Sequence, residues 1–158
     1  MKTQLGIEIT GIATAVSNNW TPISSFHEMD EKTVAKFIKN TGVKGRYNAS
    51  EKQTTSDFCF AAAENLLRTK KIDRNRINAL ILVTQSPDYK SPASACVLHG
   101  RLGLSENCLA FDINLGCSGF TSSLATIGSI LANQAEKGGG FSSVVMRRYF
   151  CKSKNWLQ

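Results

Sequence analysis

No C-x-x-C pair occurs anywhere in the 158 residues, and the five cysteines, Cys59, Cys96, Cys108, Cys117 and Cys151, are an odd number. Such spacing builds neither a zinc framework nor a disulfide scaffold, so no metal is expected. The thiols read as reduced, the state of a cytoplasmic protein. No secretory leader is expected either, because the first six residues lack the apolar core that a signal peptide needs. The match "NAS" at Asn48 to a glycosylation acceptor therefore carries no weight. The longest uncharged stretch, residues 113–135, has the length of a membrane span but contains Asn114, Asn133, Gln134 and many serines and threonines. A buried helix of a soluble domain is the expectation, and not a span.

Acidic residues are scarce, with 12 Asp and Glu against 19 Lys and Arg, a net charge of +7. An excess of this kind invites a polyanionic partner, but its distribution argues against one. Arg147, Arg148, Lys152 and Lys154 crowd the last residues, and without these four the balance is +3. The second cluster, Arg68, Lys70, Lys71, Arg74 and Arg76, closes a predicted helix and enters a turn. Aromatic residues interleave with neither cluster and no reader motif occurs, so nucleic acid is excluded as an expected partner.

What is present is a globular composition, 42% hydrophobic and 20% charged, in a chain long enough for one domain with a sizeable core. Alternating β-branched residues predict a first strand over 7–16. The stretch "SSFHEMDEKTVAKFIKNTGVKGR" predicts a helix opened by a Ser25–Glu28 capping box and stopped at Gly42. A second helix follows in "TTSDFCFAAAENLLRTKKI", capped by Thr55 or Ser56, with Phe58, Ala62 and Leu66 on one face. The continuous apolar run "INALILVTQ" is that of a parallel strand covered on both faces.

After a loop bracketed by Pro87 and Pro92 come a short helix in "ASACVLHGRLG" and a buried strand in "CLAFDIN". A long helix then opens at Cys117. Its Phe120, Leu124, Ile127 and Leu131 fall at helical spacing, and the small residues between them predict close packing on several sides. Gly138 to Gly140 end it, and "FSSVVM" begins another strand. Strands alternating with helices predict an α/β fold with a mainly parallel sheet and covering helices.

The chemistry concentrates in "FDINLGCSGF", residues 111–120. A free cysteine is most often a small buried hydrophobe. At the first turn of a helix, however, unpaired N–H groups and the helix dipole favour thiolate, and the same N–H groups can hold an oxyanion. Gly116 is expected to permit a tight turn before Cys117, and Gly119 to leave space beside it. Cys117 is thus a candidate nucleophile for covalent acyl transfer.

"DINLGCSGF" resembles the nucleophile corner of β-ketoacyl–acyl carrier protein synthase III, a family of the thiolase superfamily. "NTGVKGR" resembles that family's T-G-[IV]-x-x-R element, and "LILVTQSPDYKSPASACVLHGRLGL" its strand, proline-bracketed loop and helix. The resemblance covers about residues 7–145. It implies the N-terminal half of a thiolase-like fold, with Cys117 taking an acyl group from acyl-CoA and condensing it with malonyl–acyl carrier protein. Acyl carrier protein and acyl-CoA are the implied partners, a homodimer the implied assembly, and no cofactor is implied beyond these substrates.

The condensing step of the family also uses a His and an Asn from its second half, to which His27 and His99 do not correspond; both are read as structural or surface residues. Lys36 and Asn40 stand where many members have a CoA-contacting Trp and Arg. The expected organisation is a half-domain over 1–145 and an atypical basic tail over 146–158, which fits a shifted reading frame and a truncated enzyme. The alternative is a catalytically inactive fragment that binds or dimerises.

Overall fold

The computed structural model describes residues 8–25 and 29–133, and the backbone of 139–144. At its centre lies β3 (Ile77–Val83), paired in parallel with β4 (Leu109–Ile113) on one side and β5 (Gly139–Val144) on the other. The apolar run has the double coverage that its sequence predicts. Leu80 and Leu82 point into a core formed with α2 (Thr55–Lys70) and α3 (Ser94–Leu102), whereas Ala79, Ile81 and Val83 pack toward α4 (Gly119–Ala132). A register irregularity between Ile77 and Ala79 lets Ile77 join the α2–α3 core although its parity is that of the α4 side.

This layering follows from chain direction. The chain passes from β3 through α3 to β4, then back across β3 through α4 to β5. Right-handed crossovers in opposite directions place α3 and α4 on opposite faces. The α/β expectation with a parallel sheet and covering helices is met.

The helix stops and starts are partly as expected. Gly42, in the left-handed region at φ 71°, ends α1 (Glu31–Thr41) and donates its N–H to the Ile38 carbonyl at 2.8 Å. The start of α1 corrects the expected box at Ser25 and Glu28. Asp30 is the cap, its carboxylate accepting the Thr33 N–H at 2.7 Å, while Ser25 closes a 3₁₀ turn and Glu28 lies outside the described residues. In α2 the cap is Thr54, whose N–H donates to Asp57 at 2.8 Å. Thr55 and Ser56 are buried and bond to the loop after β3 instead.

Three further expectations are corrected. Residues 8–16 pair with no strand among the described residues, and Ile9, Ile12 and Val16 are 57%, 82% and 60% exposed. Alternation supplies a face, not a partner; the segment lies against α2, where a β-carbon on Gly11 would fall 2.7 Å from Leu66 Cδ1. β4 is only half-buried because it has β3 on one side alone. α4 buries Gly119, Ser123, Ile127 and Gly128 against the sheet but leaves Phe120, Thr121, Ala125 and Ser129 exposed, so it is packed on one side and not several. A small antiparallel pair, β1 (Trp20–Pro22) with β2 (Gly45–Tyr47), completes the described fold. The tail over 146–158 and His27 lie outside the described residues.

Candidate active site

The loops that leave β3 and β4 run to opposite faces of the sheet. In parallel α/β sheets a crevice opens at such a point, outside the carboxyl ends of the strands, and it is where ligands bind. Cys117 sits there. It does not open the helix as expected, since α4 begins at Gly119 with Ser118 as its cap. Cys117 instead occupies a turn in which the Gly119 N–H donates to the Gly116 carbonyl at 2.9 Å. The thiol is exposed, and no described residue accepts a hydrogen bond from the Cys117 or Ser118 N–H.

The two glycines act through space and not through backbone freedom. Gly116 has no positive φ. A β-carbon there would meet Gln85 Oε1 at 3.1 Å, and one on Gly119 would meet Val83 Cγ1 at 2.4 Å, a distance no side chain tolerates. Gly119 therefore lets the start of α4 press on the last residue of β3, which fixes where the Cys117 turn lies. The expected space beside the cysteine is filled by this contact.

Carboxylates at the same end of the sheet hold the loops. Asp112, the one charged residue of β4, accepts from the Ser94 N–H at 2.8 Å and the Ala95 N–H at 2.7 Å, capping α3 from a neighbouring strand. Asp88 accepts from the Thr54 hydroxyl at 2.8 Å and the Ser56 N–H at 3.2 Å, and its own N–H donates to Ser94 Oγ at 2.9 Å. The Thr55 hydroxyl donates to the Ser86 carbonyl at 2.8 Å. Sequence reasoning passed over Asp88, Asp112 and Gln85. The available signal was a lone Asp inside an apolar strand, which must find donors when it is half-buried.

Charge elsewhere serves packing. Arg101 bridges α3 to α2, bonding Asp57 at 2.9 Å and the Ser56 hydroxyl at 2.9 Å, with its guanidinium 4.7 Å from the centre of the Phe60 ring. The Thr54 N–H, and then Arg101, hold the Asp57 carboxyl below its ordinary range. In the basic cluster, Arg74 forms a two-pronged pair with Glu64 at 2.6 and 3.0 Å and also donates to the Leu102 carbonyl. His99 bonds the Ser105 carbonyl at 2.9 Å, on the approach to β4 and so at the opposite end of that strand from Cys117. Its role is structural. Lys36 and Asn40 are exposed on α1.

Cys59 and Cys108 are buried, and burial pushes the Cys108 thiol up to about 11. Cys96 shares exposure with Cys117, but it lies on α3 with its sulfur 3.7 Å from the Ala110 carbonyl. Among the described residues no group of three or more His, Cys, Asp or Glu could hold a metal, and no helix is long and apolar enough to cross a membrane. A shallow concavity of about 560 Å³ on α4, lined by Ala125, Thr126, Ser129, Ile130 and Asn133, starts two turns beyond the cysteine and takes no part in the site.

The described chain is a parallel sheet between helix layers with the cysteine turn at its carboxyl edge, and solved structures place this arrangement in the thiolase-like fold. No family model matches the chain. A Campylobacter jejuni protein provisionally assigned as 3-oxoacyl-[acyl-carrier-protein] synthase 3 is 37% identical over 136 residues, covering 83% of this chain and 38% of the relative. The crystal structure of a 3-oxoacyl-(acyl-carrier protein) synthase from Burkholderia xenovorans LB400 superposes with a TM-score of 0.69 at 36% identity, over 77% of this chain and 36% of that one. A 3-oxoacyl-(acyl-carrier-protein) synthase III superposes at 0.71 with 30% identity, over 78% and 37%. OleA of Xanthomonas campestris shares the fold, at 0.65 with 23% identity. The chain is related to 3-oxoacyl-acyl carrier protein synthase III enzymes and spans well under half the length of these relatives.

Proposed function

We propose that this chain carries the acyl-accepting part of a 3-oxoacyl-acyl carrier protein synthase III-type acyltransferase, with Cys117 as the nucleophile. The observation that carries this reading is the placement of an exposed thiol in the turn between β4 and α4, at the carboxyl edge of a parallel sheet. The Cys117 thiolate attacks the carbonyl carbon of an acyl thioester such as acyl-CoA. The donor's carbon–sulfur bond breaks, and the freed thiol takes the proton that Cys117 gave up. The positive end of α4 and the open Cys117 and Ser118 N–H groups favour the oxyanion of the intermediate.

Decarboxylative condensation with malonyl–acyl carrier protein is a second step, for which the family's His and Asn have no counterpart in this sequence. The test is the mass of the intact protein after incubation with acetyl-CoA. An acetyl adduct that is lost in Cys117→Ser supports the reading, and an adduct retained in that variant removes it.

The alternative is a fragment that binds or dimerises without chemistry. The exposed Ile12, Val16 and Phe120 favour it, and a wild-type chain that never acquires the acetyl group would establish it.

A further inference from the structure

The geometry points to Gln85 as a substrate-contacting residue, its carboxamide N–H donating to the carbonyl oxygen of the acyl thioester held at Cys117. The inference rests on the acyl-accepting role proposed for that cysteine. Gln85 is the second residue beyond β3, and Cys117 the fourth beyond β4. The two strands are neighbours in register, Val83 opposite Ile113, and the Thr84 N–H continues the ladder to the Ile113 carbonyl at 3.1 Å. Residue 85 is thereby delivered into the same crevice as the cysteine turn.

The Gln85 backbone is fixed from both sides. The buried Thr84 side chain accepts the Ser86 N–H at 3.0 Å, and the Ser86 carbonyl accepts the Thr55 hydroxyl at 2.8 Å. Its side chain lies over Gly116, the residue before Cys117. A β-carbon on Gly116 would come within 3.1 Å of Oε1, 3.5 Å of Cδ and 3.7 Å of Nε2. Glycine at 116 therefore makes the seat that brings this amide beside the cysteine.

The carboxamide is exposed, and no described residue hydrogen-bonds to it. A neutral amide offers two donors without the negative charge that would raise a neighbouring thiol. It is thus suited to polarise a carbonyl beside a thiolate, where a carboxylate would oppose both.

The test compares two reactions of the same sulfur in the 158-residue chain. Acetylation of Cys117 by acetyl-CoA needs recognition of a carbonyl at the site, and alkylation by iodoacetamide reports thiol access and ionisation. Gln85→Ala is expected to slow acetylation by about three- to tenfold, the value of one net hydrogen bond. Its alkylation rate and melting temperature are expected to stay at the wild-type values. Gln85→Glu keeps the shape but adds a charge, so both reactions are expected to slow.

Unchanged acetylation in Gln85→Ala would overturn the inference, as would an equal slowing of both reactions, which would mean that Gln85 shapes the turn and not the carbonyl. A wild-type chain that alkylates at Cys117 but never acetylates would remove the proposed function itself, and with it the role given to Gln85.

Discussion

Gly119 shows how closely a single residue positions the candidate nucleophile. With Val83 Cγ1 at 2.4 Å from where its β-carbon would be, even a methyl group forces α4 off the sheet. Gly119→Ala is expected to cost about 1–3 kcal/mol, the usual range for overpacking a tight contact. A denaturation midpoint measured by circular dichroism reads this directly. The thiols make a similar point. Cys108 is held neutral by burial, with its thiol raised to about 11, and Cys59 is equally enclosed, so their chemistry is packing. Reactivity is left, among the described cysteines, to Cys96 and Cys117.

At the scale of elements, helix positions are set as much by neighbouring strands as by each helix's own sequence. Asp112 of β4 caps α3, and Asp88 of the loop after β3 supports the start of α2. Asp112→Ala leaves two helix N–H groups without their acceptor and is expected to cost about 1–3 kcal/mol, read as a lowered urea midpoint. Acid should loosen the same α2–α3 layer. The Thr54 N–H and Arg101 lower the Asp57 carboxyl from its ordinary 3.8, and Arg74 lowers that of Glu64 from 4.5. A carboxyl lowered in the folded state stabilises it above the ordinary value, and that contribution is lost as pH falls through the lowered one. The expected profile is a stable plateau at neutral pH and a decline that begins between about pH 5 and 4, measured as the urea midpoint against pH.

These elements also show what the sequence could and could not disclose. The run "INALILV" reads as a doubly covered strand because burial on both faces leaves no room for polar residues, and Gly42 reads as a stop because only glycine takes φ 71° cheaply. The corner at Cys117 was legible from Gly, Cys and small residues following an apolar strand. The caps at Asp30 and Thr54 were misplaced by one to several residues, since Ser and Thr are plausible caps wherever they precede a helix. The contacts of Asp88, Asp112 and Gln85 were hidden because their partners are distant in the chain, and no local period encodes them. Over residues 8–16 alternation marks a two-faced segment without saying whether another strand lies beside it.

At the scale of the whole molecule, large apolar side chains are exposed at several places among the described residues. Ile9, Ile12 and Val16 project from the extended segment, and Phe120 stands 47% exposed at the start of α4. The solved relatives align over about three quarters of this chain but over little more than a third of their own. Exposed apolar side chains of this kind are expected to drive self-association. Sedimentation velocity should show concentration-dependent association of the 158-residue protein, reduced by Ile12→Lys. A monodisperse monomer at all concentrations would show that these side chains are tolerated in water.

The most direct test of the central claim is a peptide-resolved time course of acyl transfer from acetyl-CoA to each cysteine. The expected result is acetylation of Cys117 well ahead of Cys96, its exposed control, with Cys59 and Cys108 protected by burial. Equal slow labelling of Cys96 and Cys117, or transfer to neither, would contradict the assignment of Cys117 as the acyl acceptor.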